Sequence, residues 1–351
     1  MSRHSTIHSI APLPAVTGRK PGAFMRLAPG LLITALIATA AFALHDLRLL
    51  PGLSPLILAI IIGMAGHNLI GTPAQAKAGI AFSLRRVLRA AIVLLGFQLT
   101  LADIREVGLP GLATILICLT ATFFFTLRAG RWLGVERPLA GLIASGTSIC
   151  GASAVIAANA VIEGRDEDVA YAVACVTVFG SLSMLLYPLI EAHLVALSPA
   201  AYGLWTGATV HEIAQVVAAG FQAGQDAGEA ATVSKLTRVL MLAPVCLALA
   251  LFWNRSRPAR QGVRSGSAPM PWFALGFLAV VVLNSYVTLP KDGHDGLVSL
   301  TTFLLSMALA AMGLETDIAK LRARGLRPLA LGALSWLFIS TLGLALVLVA
   351  G

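Results

Sequence analysis

Charged side chains are scarce in this sequence. Asp, Glu, Lys and Arg make up 12% of the 351 residues, whereas hydrophobic residues make up 58%. Soluble domains contain about 25% charged residues, because water must solvate most of their surface. Together with a mean hydropathy of +0.86, this scarcity argues against a soluble fold and indicates a polytopic membrane protein.

Cysteine is also rare, and its placement argues against two further classes of protein. The four cysteines lie inside apolar runs without any CxxC pair: Cys118, Cys150, Cys175 and Cys246. Neither a disulfide framework nor a zinc site is indicated, and no cofactor or metal is expected. The GxxxxGK[ST] signature is absent too, so the chain does not drive ATP hydrolysis by that motif.

Long apolar runs fill the remainder of the sequence. Eleven are long enough to cross a membrane, at about 27–44, 53–70, 84–101, 108–127, 138–160, 168–190, 199–221, 231–253, 272–289, 296–314 and 328–350. They are too long and too uniformly apolar for barrel strands. We therefore expect an all-α polytopic bundle of about 10–11 helices over residues 27–351, preceded by a basic cytoplasmic tail at 1–26.

The positions of Lys and Arg predict the orientation. With the N-terminus inside, the inside segments hold 19 of the 25 basic residues, as the positive-inside rule requires. The C-terminus then lies outside, as do the acids at 163–168 and six basic residues: Arg48, Arg105, Arg165, Lys235, Arg238 and Lys291. Topology thus explains the net charge of +9, and no nucleic-acid partner is expected. A cleaved secretory signal ending at 41–43 remains an alternative for the first run.

Two internal echoes suggest a repeat, which in membrane proteins often frames a transport site. LGFQLTLADI at 95–104 resembles MGLETDI at 312–318, and SGTSICG at 145–151 resembles TGATVHE at 206–212. In this topology the first pair runs in opposite directions but the second pair runs in the same direction. One inverted repeat explains both pairs only if a segment turns back within the membrane.

The stretch SGTSICGASA at 145–154 concentrates glycine and hydroxyl residues at membrane depth. Close helix packing is one explanation. The preferred one is an interrupted helix whose exposed N–H groups and half-helix termini bind an anion. The candidate binding residues here are Ser145, Gly146, Thr147, Ser148, Gly151 and Ser153.

The second stretch adds ionisable groups. Glu212, beside His211, is the one acid expected near mid-membrane, where such groups usually serve function. The two residues are therefore candidates for proton or ion coupling, with a loop or a helix-to-helix hydrogen bond as the structural alternative. Thr209, Gln215 and Asn159 are the remaining candidate binding residues. His211-Glu212 also begins the HExxH protease signature, but the second histidine is missing, so no enzyme is expected.

These same residues carry a family resemblance. GTSICGASAV at 146–155, LLGFQLTLADI at 94–104, GATVHEIAQVVAAG at 207–220 and MGLETDI at 312–318 resemble the YeiH family, over nearly the whole chain from about residue 27. That family comprises largely uncharacterised bacterial inner-membrane proteins, often labelled sulfate exporters. The resemblance implies a fold related to cation–proton antiporters and bile-acid symporters, with broken helices crossing near mid-bilayer.

The expected function is secondary transport of a small anion, such as sulfate or an organosulfur acid, across the bacterial inner membrane. A passive channel and a non-transporting scaffold or sensor are the alternatives. The expected partners are the small anionic substrate, a coupling proton or sodium ion, and the lipid bilayer. A homo-oligomer is left open.

Overall fold

The computed structural model describes residues 23–48, 53–253, 272–287, 290–317 and 325–350, and no strand occurs among them. The predicted tail at 1–26 lies almost entirely outside the described residues. Their helices are α1 (Ala23–Asp46), α2 (Pro55–Ile70), α3 (Lys77–Phe82), α4 (Leu88–Leu95), α5 (Leu101–Trp132), α6 (Arg137–Ser148), α7 (Ala152–Ile162), α8 (Asp166–His193), α9 (Pro199–Thr209), α10 (Ile213–Gln222), α11 (Gln225–Leu240), α12 (Leu242–Trp253), α13 (Trp272–Tyr286), α14 (Lys291–Glu315) and α15 (Leu326–Ala350).

The all-α class is confirmed, and each predicted apolar run corresponds to a helix or to a pair of consecutive helices. Six described helical stretches are long and apolar enough to cross a membrane: α1, α5, α8, α11 continuing into α12, α14 and α15. Local sequence explains several starts. Ser54 and Ser198 each precede a proline, and each serine Oγ accepts a hydrogen bond from a main-chain N–H three residues later, as N-caps do.

The helices form two groups. One contains α1–α4, α13 and α14, and the other contains α5–α12 and α15. In the first group α2 lies along α14, where Gly63 meets the carbonyl of Ala310 and Gly313 meets that of Ile60, leaving no room for a Cβ atom. Small residues let helix backbones approach this closely in a membrane.

The interruption predicted within 145–154 is present, and a second one lies in the similar stretch at 206–212. The break between α6 and α7 is a turn in which Gly151 adopts a φ of 68°, a conformation that favours glycine. The break between α9 and α10 falls at 210–212. These two breaks divide the apolar runs 138–160 and 199–221 into halves of 10 to 12 residues.

The α6–α7 pair is a hairpin rather than a crossing. Arg165 Nη2, just after α7, lies 2.9 Å from Glu136 Oε2, just before α6. A continuous helix over 137–162 would separate these ends by nearly 40 Å. The chain therefore turns back at 149–151, and the acidic loop at 163–168 lies beside the start of α6 instead of on the far side, which corrects the expected topology.

The α9–α10 pair is a second hairpin. The hydroxyl of Tyr202, near the start of α9, donates to the carbonyl of Ala219, near the end of α10, at 3.1 Å. In a straight helix these two residues would be about 25 Å apart. The turn at 210–212 is thus the tip of a segment that returns to its own face.

The hairpins enter from opposite faces. One end of the molecule, here called the basic face, has a cavity lined by Glu136, Arg165 and Arg327. The opposite face has a cavity lined by Asp103, Ser198 and Asp226. Helix α8 connects the two hairpins and, with 28 residues, is about 42 Å long. The two copies of the second echo consequently run in opposite directions, which removes the conflict between the echoes.

The topology can be tested by labelling from one side. We expect Glu167→Cys and Gln225→Cys, in a background without the four native cysteines, to react with a membrane-impermeant maleimide from opposite faces. The reason is that 163–168 and 222–226 belong to hairpins of opposite entry. Asp292→Cys, at the start of α14, serves as the control and should be labelled from the same face as Gln225→Cys. Labelling of Glu167→Cys and Gln225→Cys from one face would restore a full crossing at 199–221.

Candidate functional site

The tips of the two hairpins meet in the interior of the second helix group. The Glu212 carboxylate, at the tip of the α9–α10 hairpin, accepts a hydrogen bond from the main-chain N–H of Ala152, the first residue of α7. It also packs on Gly151, where a side chain would collide with it. A carboxylate at a helix N-terminus is stabilised by the helix dipole. The structure therefore joins the two predicted motifs through one main-chain-to-carboxylate contact.

Helix α11 places two fully buried cations between these tips. Lys235 Nζ donates to the carbonyls of Ile149 at 3.1 Å and Val210 at 2.8 Å. Arg238 Nε donates to Ser148 O at 2.8 Å, and Arg238 Nη2 donates to Thr147 O at 2.6 Å. Neither side chain has any exposed surface.

These hydrogen bonds satisfy main-chain carbonyls that a broken helix leaves without partners in a membrane. The last carbonyls of α6 and α9 have no partner within their own helices, and lipid offers none. Cations at a helix C-terminus also interact favourably with its partial negative charge. Lys235 and Arg238 thus act as a shared C-terminal cap for two half-helices that enter from opposite faces.

The charges around the tips do not balance. Two buried cations face one nearby carboxylate, that of Glu212, and the ion pairs of the described residues include neither Lys235 nor Arg238. His211 lies in the same turn, 1% exposed, and its Nδ1 has no hydrogen-bond partner. Counted as formal charges, with Lys235, Arg238 and Glu212 ionised and His211 neutral, the tips carry one positive charge in excess.

Gln215 has a structural position within this site. Its Oε1 accepts from Glu212 N–H at 3.2 Å, and its Nε2 donates to Thr177 O and Ser181 Oγ, both at 3.0 Å. The side chain is fully buried. Its hydrogen-bonding capacity is therefore largely used in tying the α9–α10 tip to α8.

The polar groups of several predicted binding residues are already hydrogen-bonded within the protein. Ser145 and Ser148 donate to the carbonyls four residues earlier, at 2.8 and 2.6 Å, a bond common for helical hydroxyls. Thr209 bonds to Trp205 O and to the Tyr187 hydroxyl. Gly146 lies against Val155 and Val176. These residues shape the hairpins, as the packing alternative predicts, whereas Thr147 contributes its carbonyl to Arg238.

Two predicted residues lie apart from that cluster. Asn159 does not reach the tips: its Oδ1 accepts from Gly164 N–H at 2.8 Å, at the open end of the hairpin, so the structure does not bring it together with Gln215. It lies seven residues into an 11-residue helix, roughly 10 Å from the tip. Ser153 does adjoin the tip and is exposed.

Lys235 and Arg238 are absent from the predicted site. They were expected in the outer loops, whereas the structure buries them at the hairpin tips. One sequence signal points to them: both lie within the apolar run 231–253, where a basic residue at membrane depth indicates function. Their partners, about 25 to 90 residues away in the chain, follow only from the tertiary structure.

Comparison with known proteins places this chain among membrane proteins. A family model described as conserved hypothetical protein 698 matches residues 29–332. A UPF0324 membrane protein of Pseudomonas aeruginosa is 41% identical over 352 residues, covering 95% of this chain and 99% of the relative. The UPF0324 inner membrane protein YeiH of Salmonella typhimurium is 39% identical over 319 residues, covering 89% and 91%.

Removal of a buried cation should unfold the tips. We expect Arg238→Met to lower the stability of the purified protein markedly, because the carbonyls of Thr147 and Ser148 lose their partner at about 1–3 kcal/mol each. Arg238→Lys keeps the positive charge but not the paired N–H donors of the guanidinium group. Its stability should lie between those of Arg238→Met and the native protein. Thermal unfolding in detergent measures the effect, with the exposed Lys291→Met as control. Equal stability of Arg238→Met and the native chain would contradict the capping role.

Proposed function

The chain belongs to the conserved hypothetical protein 698 (UPF0324) family, to which YeiH also belongs, and from its site we propose that it is a secondary transporter of a small anion. The observation that carries this proposal is the excess positive charge of Lys235 and Arg238 over Glu212 between two opposed hairpin tips. An isolated buried charge is strongly unfavourable. A bound anion would neutralise it.

The main chain favours the same ligand. Helices α7 and α10 begin at the tips, and helix N-termini attract anions through their N–H groups and dipoles. His211 Nδ1, which has no partner in the described structure, is available as a further group. We propose that an oxyanion, sulfate or an organosulfur acid, binds among Lys235, Arg238, His211 and the start of α7. Export as the direction rests on the family resemblance alone.

The two hairpins suit alternating access, because each one separates the site from a different face. The α9–α10 hairpin is held to the first helix group by Ser54 N–H, which donates to Gln222 Oε1 at 2.7 Å, and by Gln215 Nε2 on Met312 Sδ at 3.5 Å. On α7, by contrast, Ser153 is exposed and Ile156 is 55% exposed. We propose that this conformation admits the anion past α7 from the basic face.

The basic face is proposed to be cytoplasmic. Arg128, Arg131, Arg137, Arg165 and Arg327 lie at this end among the described residues, and Lys and Arg are retained inside during insertion. This assignment moves Arg165 to the inside and keeps the N-terminus inside and the C-terminus outside.

Glu212 is the proposed coupling residue. Its carboxylate alternates between a main-chain N–H and solvent as the tips separate, so a proton or a sodium ion could bind to it in one conformation. Glu212 would then link movement of the hairpins to an ion gradient. We propose transport, not catalysis, as the use of this charged cluster.

Anion binding is testable on the purified protein. A panel of sulfate, sulfite, taurine, sulfoacetate and small carboxylates, at several pH values and with or without sodium, should include one anion that raises the melting temperature saturably. We expect His211→Asn to weaken the binding of that anion about tenfold. We expect Glu212→Gln to abolish the dependence of anion binding on pH or sodium. Asp226→Asn, an exposed acid on the opposite face, is the matched control.

Transport in proteoliposomes then separates the alternatives. The proposal predicts uptake of the identified anion that an ion gradient accelerates, and loss of that acceleration in Glu212→Gln. Flux without gradient dependence would support a passive channel. Absence of both binding and flux, in protein shown to be folded, would support a scaffold or sensor and reject the transporter.

A further inference from the structure

A groove of about 540 Å³ lies on the second helix group between α5, α6 and α12. Along α5 its wall is formed by one helical face that runs from Leu119 to Arg131. Phe123, Phe124 and Leu127 lie between them on that face. Ala248 and Leu249 of α12 line the other wall.

Polarity changes along the groove. Its deep part contains one polar side chain, Thr120, whose hydroxyl already donates to Leu116 O at 2.7 Å. Its outer end contains Arg131 and Arg137, and among the residues that the structure describes no acidic side chain lines it. The groove is thus apolar at depth and cationic at one end.

The dimensions match one leaflet of a bilayer. Twelve residues of α5 separate Leu119 from Arg131, which corresponds to about 18 Å, and half of a hydrocarbon core is about 15 Å. Trp132, 70% exposed, with Arg128 5.3 Å from its ring centroid, marks the headgroup level as interfacial tryptophans do. The arginines therefore lie where phosphates lie.

We propose that this groove binds an anionic phospholipid of the leaflet at the basic face. Its acyl chain lies between α5 and α12, and its phosphate lies on Arg131 and Arg137. Guanidinium groups bind phosphate through paired hydrogen bonds, and basic pockets between membrane helices select anionic headgroups. The inference is independent of what the hairpin tips transport.

Native mass spectrometry of the full chain in mild detergent tests the proposal, with phosphatidylglycerol and phosphatidylcholine of identical acyl chains as probes. We expect the native protein to bind phosphatidylglycerol about tenfold more tightly. The double variant Arg131→Gln, Arg137→Gln should lose that preference because it removes both guanidinium groups. Ala248→Trp should weaken the binding of both lipids because the larger side chain fills the groove.

A second double variant, Arg85→Gln, Arg86→Gln, removes two exposed arginines outside the groove and should keep the full preference. Melting temperatures of all variants identify any that are misfolded, and the Ala248 variant tests the groove without a change of charge. Equal binding of both lipids by the native protein would overturn the proposal. An equal loss in both double variants, or no effect of Ala248→Trp, would also overturn it.

Discussion

The rest of this structure depends on the hydrogen bonds from Lys235 and Arg238 to the carbonyl ends of α6 and α9. A helix that stops at membrane depth leaves carbonyls that lipid cannot satisfy, at several kcal/mol for each group. A cation at the same depth is equally unfavourable unless it finds such groups. Each half of the arrangement therefore needs the other, and a single helix, α11, serves both hairpins.

The opposed hairpins follow from this constraint. Each arm has 10 to 12 residues, about half of a bilayer thickness, so two hairpins from opposite faces can meet only near the middle. Helix α8 crosses beside them, and Gln215 anchors one tip to it. A charged site is thereby held at the centre by short elements.

The basic residues at the membrane surface have a different environment from the two buried cations. Arg131 and Arg137 lie at the end of an apolar groove, whereas Lys235 and Arg238 are fully buried and donate to main-chain carbonyls. Basic side chains thus lie both at the membrane surface, where we propose that they contact lipid, and in the interior, where they cap helices and where we propose that they attract an anion. Depth, not residue type, separates these roles.

The sequence by itself determined the membrane class and the apolar runs, and it favoured an interrupted helix within 145–154 with a similar pattern at 206–212, because hydropathy, glycine and hydroxyl content are local properties. It also identified Glu212 and His211. Only the tertiary structure decided that both broken runs turn back, that Asn159 lies away from the tips, and that Lys235 and Arg238 join them. Hydropathy does not show whether an apolar run spans the membrane or turns back within it. A hairpin is therefore distinguished from a crossing only by a tertiary contact such as that between Glu136 and Arg165.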